Sequence, residues 1–269
     1  MERQEIKYLV PIKKLPVLKR ALEPYTIYDK YSAKRPDNNY TVRSIYFDTL
    51  RLDFYHDKIA GLKRRKKLRV RGYDEGSEES IIFLEIKRKN SQIVSKSRAP
   101  IHFKNLTEII DTGKIGKFKD TLNILENGVQ DASNFMYHIY RSNLKPTIKV
   151  IYEREAYYYR FSKDFRITLD KNLRSSLVIE PDSLYDEVGI IYSLPEFVIL
   201  EIKIPGELPQ WLRDIIAILE LRQQSVSKYT ICIDAHSPYE PILNRAVSIK
   251  TKYNQHKNYK NWEMDIKEC

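Results

Sequence analysis

The sequence predicts an α+β protein: an antiparallel eight-stranded β-barrel with its helices packed outside. Three observations carry that expectation. Roughly eight segments read as strands, most of them in hairpin-like succession. Helical spacing is confined to a few stretches between them. Several strands also alternate apolar residues with charged ones, so each has one face to bury and one strongly polar face.

Taken in order, residues 4–10 predict a first strand, and 12–23 an amphipathic helix with Pro11 at its start. Residues 40–48, YTVRSIYFD, are rich in β-branched and aromatic types and predict a strand. A short helix or turn is expected over 50–59. Long strands at 64–73 and 80–89 are joined by the acidic connection DEGSEES, which makes them a hairpin. Helical spacing returns across 104–143, an insertion expected to lie on the barrel. Strands resume at 147–160, 164–170, 176–180 and 197–204. After Pro205 a helix aligns Leu208, Leu212, Ile215, Ile216 and Leu219 on one face. A strand-like run at 227–234 completes a domain spanning 2–234, and 235–269 is read as a basic C-terminal tail.

The polar phase of these strands is cationic. Lys67, Arg69 and Arg71 oppose Leu68 and Val70, and Glu85, Lys87 and Lys89 oppose Leu84 and Ile86. Tyr152 and Arg154, then Arg166, Thr168 and Asp170, then Glu201 and Lys203 repeat the pattern. One such strand could present its charges to solvent. Five or six of them, with few acids, predict an interior: the apolar phase packs under the helices and the charged phase lines a lumen. Like charges confined together repel strongly, so this lumen implies a bound polyanion.

Composition agrees. A net charge of +11 favours an anionic partner. Two cysteines make neither a disulfide framework nor a zinc site. With only eight glycines there is no GxxxxGK[ST] or GxGxxG loop, so if nucleotide phosphates are bound, side chains must hold them. The charged N-terminus offers no secretory signal, and no apolar run approaches the ~20 residues that span a bilayer. A cytoplasmic protein without a membrane segment is expected. The five histidines are scattered and no Ser-His-Asp or Cys-His arrangement is visible, so any chemistry should be phosphoryl transfer by positioning and neutralisation. Nucleic acid is not expected as a partner, because basic and aromatic residues do not cluster on one exposed sheet face. Glu201 sits two residues before Lys203, and Glu85 two before Lys87. Carboxylates so placed hold Mg2+ or Mn2+ against phosphate; for Glu85 a plain cross-strand salt bridge is an equal alternative.

An ordered set of short motifs then resembles a known family. R-x-E-x-K-Y (Arg3, Glu5, Lys7, Tyr8), S-I-Y-F-D-T at 44–49, K-x-R-x-R at 67–71, E-I-K at 85–87 and S-K at 95–96 belong to the set. Y-x-R at 152–154, R-I-T-L-D at 166–170, L-E-I-K at 200–203 and S-K-Y at 227–229 complete it. Together they resemble the VTC-type polyphosphate polymerase domain of the triphosphate tunnel metalloenzymes. The resemblance implies an eight-stranded tunnel that binds ATP and inorganic polyphosphate with a divalent metal, Mn2+ or Mg2+. The activity it implies is ATP-dependent transfer of the γ-phosphate to a growing polyphosphate chain. A metal-dependent tripolyphosphatase or nucleoside triphosphatase, and a non-catalytic polyphosphate-binding module, stand as alternatives. Carried over position by position, Arg69, Arg71, Lys87, Arg154, Arg166 and Lys228 would be catalytic cations. Lys7, Tyr152 and Ser227 would bind substrate, Lys96 would lie towards a tunnel mouth, and Glu201 would hold the metal. Strand phase alone adds Lys67, Lys89, Lys203 and Glu5. The wider superfamily often opens E-x-E-x-K; Arg3 at the first acidic position disfavours a two-metal hydrolase.

Overall fold

The computed structural model describes residues 3–91 and 93–236. Its strands are β1 (Arg3–Pro11), β2 (Thr26–Tyr28), β3 (Tyr40–Asp48), β4 (Arg64–Tyr73), β5 (Ile81–Asn90) and β6 (Ile93–His102). They continue with β7 (Lys145–Tyr159), β8 (Ser162–Leu177), β9 (Ile191–Tyr192) and β10 (Phe197–Pro205). The helices are α1 (Leu15–Leu22), α2 (Asp53–Ile59), α3 (Leu106–Thr112), α4 (Lys119–Leu122), α5 (Gly128–Arg141), α6 (Gln210–Ile218) and α7 (Lys228–His236).

Eight long strands form one antiparallel sheet in the order β1-β10-β8-β7-β3-β4-β5-β6, with β2 on β7 and β9 on β8 as short additions. The sheet curls into a half-barrel with all but one of its main helices outside. No backbone ladder joins β1 to β6 among the described residues. Side chains span the seam instead: Lys87 Nζ on β5 lies 3.1 Å from the Glu5 carboxylate on β1. The free edge of β1 is met by residues 223–224, where Gln224 N donates to Lys7 O at 2.9 Å and Tyr8 bridges to Gln223.

The apolar strand phase faces outward under two helical layers. Ile45, Leu68, Val70, Leu84, Ile86 and Ala99 pack beneath α3, α4 and α5. Ile6, Val10, Ile167, Leu169, Leu200 and Ile202 pack beneath α1 and α6. Each of these valine, leucine and isoleucine side chains removed from water contributes about 1.5–3 kcal/mol. Part of the concave face is apolar as well, and there Tyr46, Val150, Tyr152 and Ile199 surround Val226, Tyr229 and Cys232.

Those last residues correct an expectation. The run 227–234 is not a strand: Lys228–His236 is α7, lying inside the curl of the sheet. Tyr229, Thr230, Ile231, Cys232 and Ile233 are all buried. A helix buried on every side has no amphipathic period to betray it, and its β-branched residues mimic a strand. Its local signal is Ser227, whose Oγ accepts from Thr230 N at 3.3 Å as an N-cap does. Asp48 docks the helix from the sheet, accepting from Tyr229 OH at 2.5 Å and from the backbone N–H groups of Phe54 and Tyr55 at 3.0 Å.

Two further differences concern strands. β6 was not expected, because Pro100 breaks a ladder. It is tolerated here at the end of the sheet, where one edge has no strand partner among the described residues. The expected strand 164–170 and the first two residues of 176–180 are one, β8, which ends at Leu177 and carries a register shift against β7 near Asn172, a residue with φ of 52°. That bulge reads as a turn in sequence. The expected helix 12–23 is a 3-10 turn, Ile12–Lys14, followed by α1. No helix among the described residues is long and apolar enough to cross a membrane. Of the basic stretch 235–269, residues 237–269 lie outside the described residues.

Candidate functional site

Strand alternation aims the second side-chain phase of β1, β3, β4, β5, β7 and β10 into the curl, and the space they leave is a cavity of about 570 Å³. Twelve lysines and arginines line it against two carboxylates, Glu5 and Glu201. From β4 come Arg65, Lys67, Arg69 and Arg71; from β5, Lys87 and Lys89; from β7, Tyr152 and Arg154. β10 supplies Glu201 and Lys203, and β1 supplies Glu5 and Lys7. The turn into α7 adds Ser227 and Lys228.

The structure thus brings together Lys7, Lys67, Arg69, Arg71, Lys87, Lys89, Tyr152, Arg154, Glu201, Lys203, Ser227 and Lys228. It leaves two of the expected residues off the cavity wall. Arg166 is turned to Asp29, with Nη2 at 2.8 Å from Oδ2, and to Tyr40 OH at 3.3 Å. Lys96 is turned to Glu85, 2.7 Å away. In both cases a neighbouring carboxylate holds the cation, Asp29 for Arg166 and Glu85 for Lys96.

Lys58, Arg65 and Lys66 line the cavity without having been expected there. Arg65 was legible, since it continues the beat of Lys67, Arg69 and Arg71. Lys58 gave no signal, because it comes from the end of α2. Tyr46 was also missed; its hydroxyl accepts from Arg69 Nη1 at 2.8 Å.

Four carboxylates organise these cations. Glu85 is 2% exposed and lies 2.7 Å from Arg69, 3.7 Å from Arg71, 2.7 Å from Lys96 and 3.3 Å from Arg98. Burial would raise its pKa, but Arg69, Arg71 and Lys96 hold it below the carboxylate range. That saturation with cations makes Glu85 a structural counter-charge. Asp170 takes Arg154 on both oxygens, at 2.6 and 2.8 Å, and Lys228 at 2.5 Å. Glu201 pairs with Lys203 at 2.7 Å and more loosely with Lys7 at 3.7 Å. Glu5 pairs with Lys7 at 2.9 Å; burial and Glu201 act to raise its pKa, yet Lys7, Lys87 and Lys203 bring it to about 2.

Lys67 is different. Its Nζ donates to Ser227 Oγ at 2.6 Å and it makes no ion pair among the described residues. Burial, then Lys7, Lys58, Lys87 and Arg69, push its pKa well below the ordinary lysine value. An anion entering the cavity reverses that electrostatic cost, so it restores the proton. Tripolyphosphate binding is therefore expected to take up a fraction of a proton in the pH range where the free Lys67 is partly deprotonated, and Lys67→Arg, which stays charged, to lose that uptake. Calorimetry in two buffers of different ionisation enthalpy measures it; equal proton uptake by wild type and variant would place the linkage elsewhere.

The geometry defines a class: an antiparallel sheet curled around a cation-lined cavity. The chain belongs to the VTC domain family, whose model matches residues 2–236. Vacuolar transporter chaperone complex subunit 2 of Saccharomyces cerevisiae is 28% identical over 148 residues, covering 49% of this chain. The match spans only 18% of that yeast protein's length. Among solved structures, the PH1819 protein of Pyrococcus horikoshii aligns over 84% of this chain and 96% of its own, at 13% identity and a TM-score of 0.40. The Hippeastrum protein HpAC1, described as having a dominant triphosphatase activity, aligns over 90% and 99%, at 15% identity and a TM-score of 0.47.

Proposed function

We propose that this domain is an ATP-dependent polyphosphate polymerase, transferring the nucleotide γ-phosphate to a phosphate chain held in the cavity. The observation that carries the reading is the wall itself: twelve cations against two carboxylates, from five strands and two helix ends, around one space. A single phosphate needs far fewer contacts, and a surface-bound polymer would not need cations from so many strands turned towards one space. Family membership supports the same substrate class, through the resemblance to polyphosphate polymerase domains.

In this reading Arg69, Arg71 and Arg154 grip phosphoryl oxygens with planar, multidentate heads, and Lys7, Lys67, Lys87 and Lys228 supply point charges. A terminal phosphate oxygen of the chain attacks the γ-phosphorus of ATP. The new P–O bond forms as the bond to the β-phosphate oxygen breaks, releasing ADP and a chain one phosphate longer. The cations hold both partners in line and neutralise the charge on the equatorial oxygens, which is where catalysis of this transfer resides. Lys203 and Lys89 extend the positive wall beyond the reacting phosphates. In this assignment Arg166 and Lys96 act through Asp29 and Glu85 and support the wall from behind.

A divalent metal fits this donor set in a particular way. No group of three or more His, Cys, Asp or Glu residues that could hold an ion exists among the described residues. The two cavity carboxylates, Glu201 and Glu5, are hard oxygen donors on neighbouring strands, where Lys7 pairs in register with Glu201. Mg2+ and Mn2+ are held by one or two carboxylates with phosphate oxygens and water completing the shell. Glu201 would hold the ion with Glu5 beside it, and the bound ion would add charge neutralisation at the phosphates.

The test is incubation of the purified protein with ATP and Mn2+. Long, acid-labile phosphate chains and stoichiometric ADP are expected; free phosphate alone, from a folded protein, would instead establish a triphosphatase. The presence of Glu5 beside Glu201 is the observation that favours that second reading, since two carboxylates can also orient water. Glu201→Gln is expected to raise the metal concentration for half-maximal rate about ten- to a hundredfold, measured by titrating Mn2+ at saturating ATP.

A further inference from the structure

Outside the cavity, a second set of cations meets on the outer face of the sheet. Lys66 and Arg88 are directly paired across β4 and β5, and both point away from the lumen phase of Arg65, Lys67, Lys87 and Lys89. Helix α5 lays His138 and Arg141, three residues apart, over them; Lys66 Nζ is 3.4 Å from His138 Nδ1. Each member is held in place. Lys66 sits over the Phe54 ring at 5.7 Å, Arg88 Nη1 donates to Ser97 Oγ at 2.8 Å, and Arg141 donates to Tyr137 OH.

None of these groups forms an ion pair among the described residues. Asp57 attracts Lys66 less than Arg141 and Arg88 repel it. Burial, then Lys66, Arg88 and Arg141, push the His138 imidazole down to about 4. A cationic surface kept for solubility mixes its signs and spreads its charges. Here cations from three elements are gathered and anchored without a counter-charge. Lys66 also lines the rim of the cavity, so the two sets are continuous.

We propose that Lys66, Arg88, His138 and Arg141 form a second phosphate site, joined to the cavity through Lys66, that holds inorganic polyphosphate beyond the stretch inside the sheet. This rests on the reading of the cavity as a phosphate-chain site, and it adds a path: the chain crosses the rim at Lys66 and runs onto the outer face towards α5. A short chain fills the cavity alone, whereas a long one engages both sites and gains from their linkage.

The experiment compares tripolyphosphate and long-chain polyphosphate binding to wild type and to the Arg88→Ala/Arg141→Ala double variant. Tripolyphosphate affinity is expected to stay within about twofold, while long-chain affinity falls roughly tenfold with a shallower salt dependence from the loss of two cation contacts. In wild type, the His138 ring resonance should move with long-chain polyphosphate and not with tripolyphosphate. Equal loss for both ligands, or no loss for either, overturns the second site. Wild type that binds tripolyphosphate with no response to chain length at His138 overturns it too, leaving the cavity reading intact; wild type that binds neither ligand overturns both. Single-stranded RNA that binds as tightly as long-chain polyphosphate, with the same loss in the variant, would also reject the proposal and make the patch an RNA site.

Discussion

Arg69→Ala is expected to lower turnover at least about a thousandfold while leaving the fold intact, the scale seen when an arginine that neutralises a transferring phosphoryl group is removed. Arg69 reaches Glu85 through Nε and Nη2, at 2.8 and 2.7 Å, and Tyr46 OH through Nη1 at 2.8 Å. Its head is therefore fixed before any ligand arrives, and it costs no reorganisation at the moment of reaction. Truncating one member of a buried ion pair usually destabilises, because the partner is left charged and alone. Here the loss should be small, since Glu85 keeps Arg71, Lys96 and Arg98. A stability loss of only about 1 kcal/mol is expected. Arg69→Lys should recover little, as an ammonium cannot hold Glu85 and Tyr46 while presenting a planar face to phosphate. Turnover with ATP and Mn2+, alongside thermal melting, checks both halves; a folded Arg69→Ala protein with near-normal turnover would remove this residue from the machinery.

Asp170→Ala is expected to cost about 3–5 kcal/mol, a drop of roughly 10 °C in melting temperature, and activity with it. Asp170 is 1% exposed and is the shared partner of Arg154 on β7 and Lys228 on α7. Removing it strands two buried cations and releases the start of α7, together with Ser227, from the cavity wall. The pH dependence has a definite sign. Burial would raise the Asp170 pKa, but Arg154 and Lys228 lower it. A carboxylate whose pKa is lowered on folding stabilises above its unfolded value, near 3.9, and loses that contribution as pH falls through the lowered folded value. Wild type should therefore lose stability over that acid range more steeply than Asp170→Ala. Melting curves from pH 6 downward decide it, and parallel curves would show that Asp170 carries no folding free energy.

Much of the sheet was legible because alternation is a local property. Lys67, Arg69 and Arg71 share a face with period two wherever the strand sits, and Leu68 and Val70 must then face the other way. β4 was readable to its ends for that reason. Elements whose burial departs from the usual pattern were not readable. β6 was hidden by Pro100, acceptable only because the strand lies at the end of the sheet, a fact of topology. α7 was hidden because the curled sheet surrounds it, so its residues show no polar face.

The sequence by itself determined that an antiparallel sheet would carry one cationic phase, that no Gly-rich loop stands ready to cradle a phosphate, and which family the ordered motifs resemble. Only the tertiary structure decided how the charges are shared. Glu85 takes Lys96, Asp29 takes Arg166, and Asp170 ties Arg154 to Lys228, while Lys67 faces the cavity with a hydroxyl for its partner. The physical reason is range. A strand's two faces follow from the bonds between neighbouring residues, whereas an ion pair falls off steeply with distance and joins residues far apart in the chain, as Asp29 and Arg166 are. Which cations stay available for a ligand is therefore fixed only when the sheet curls.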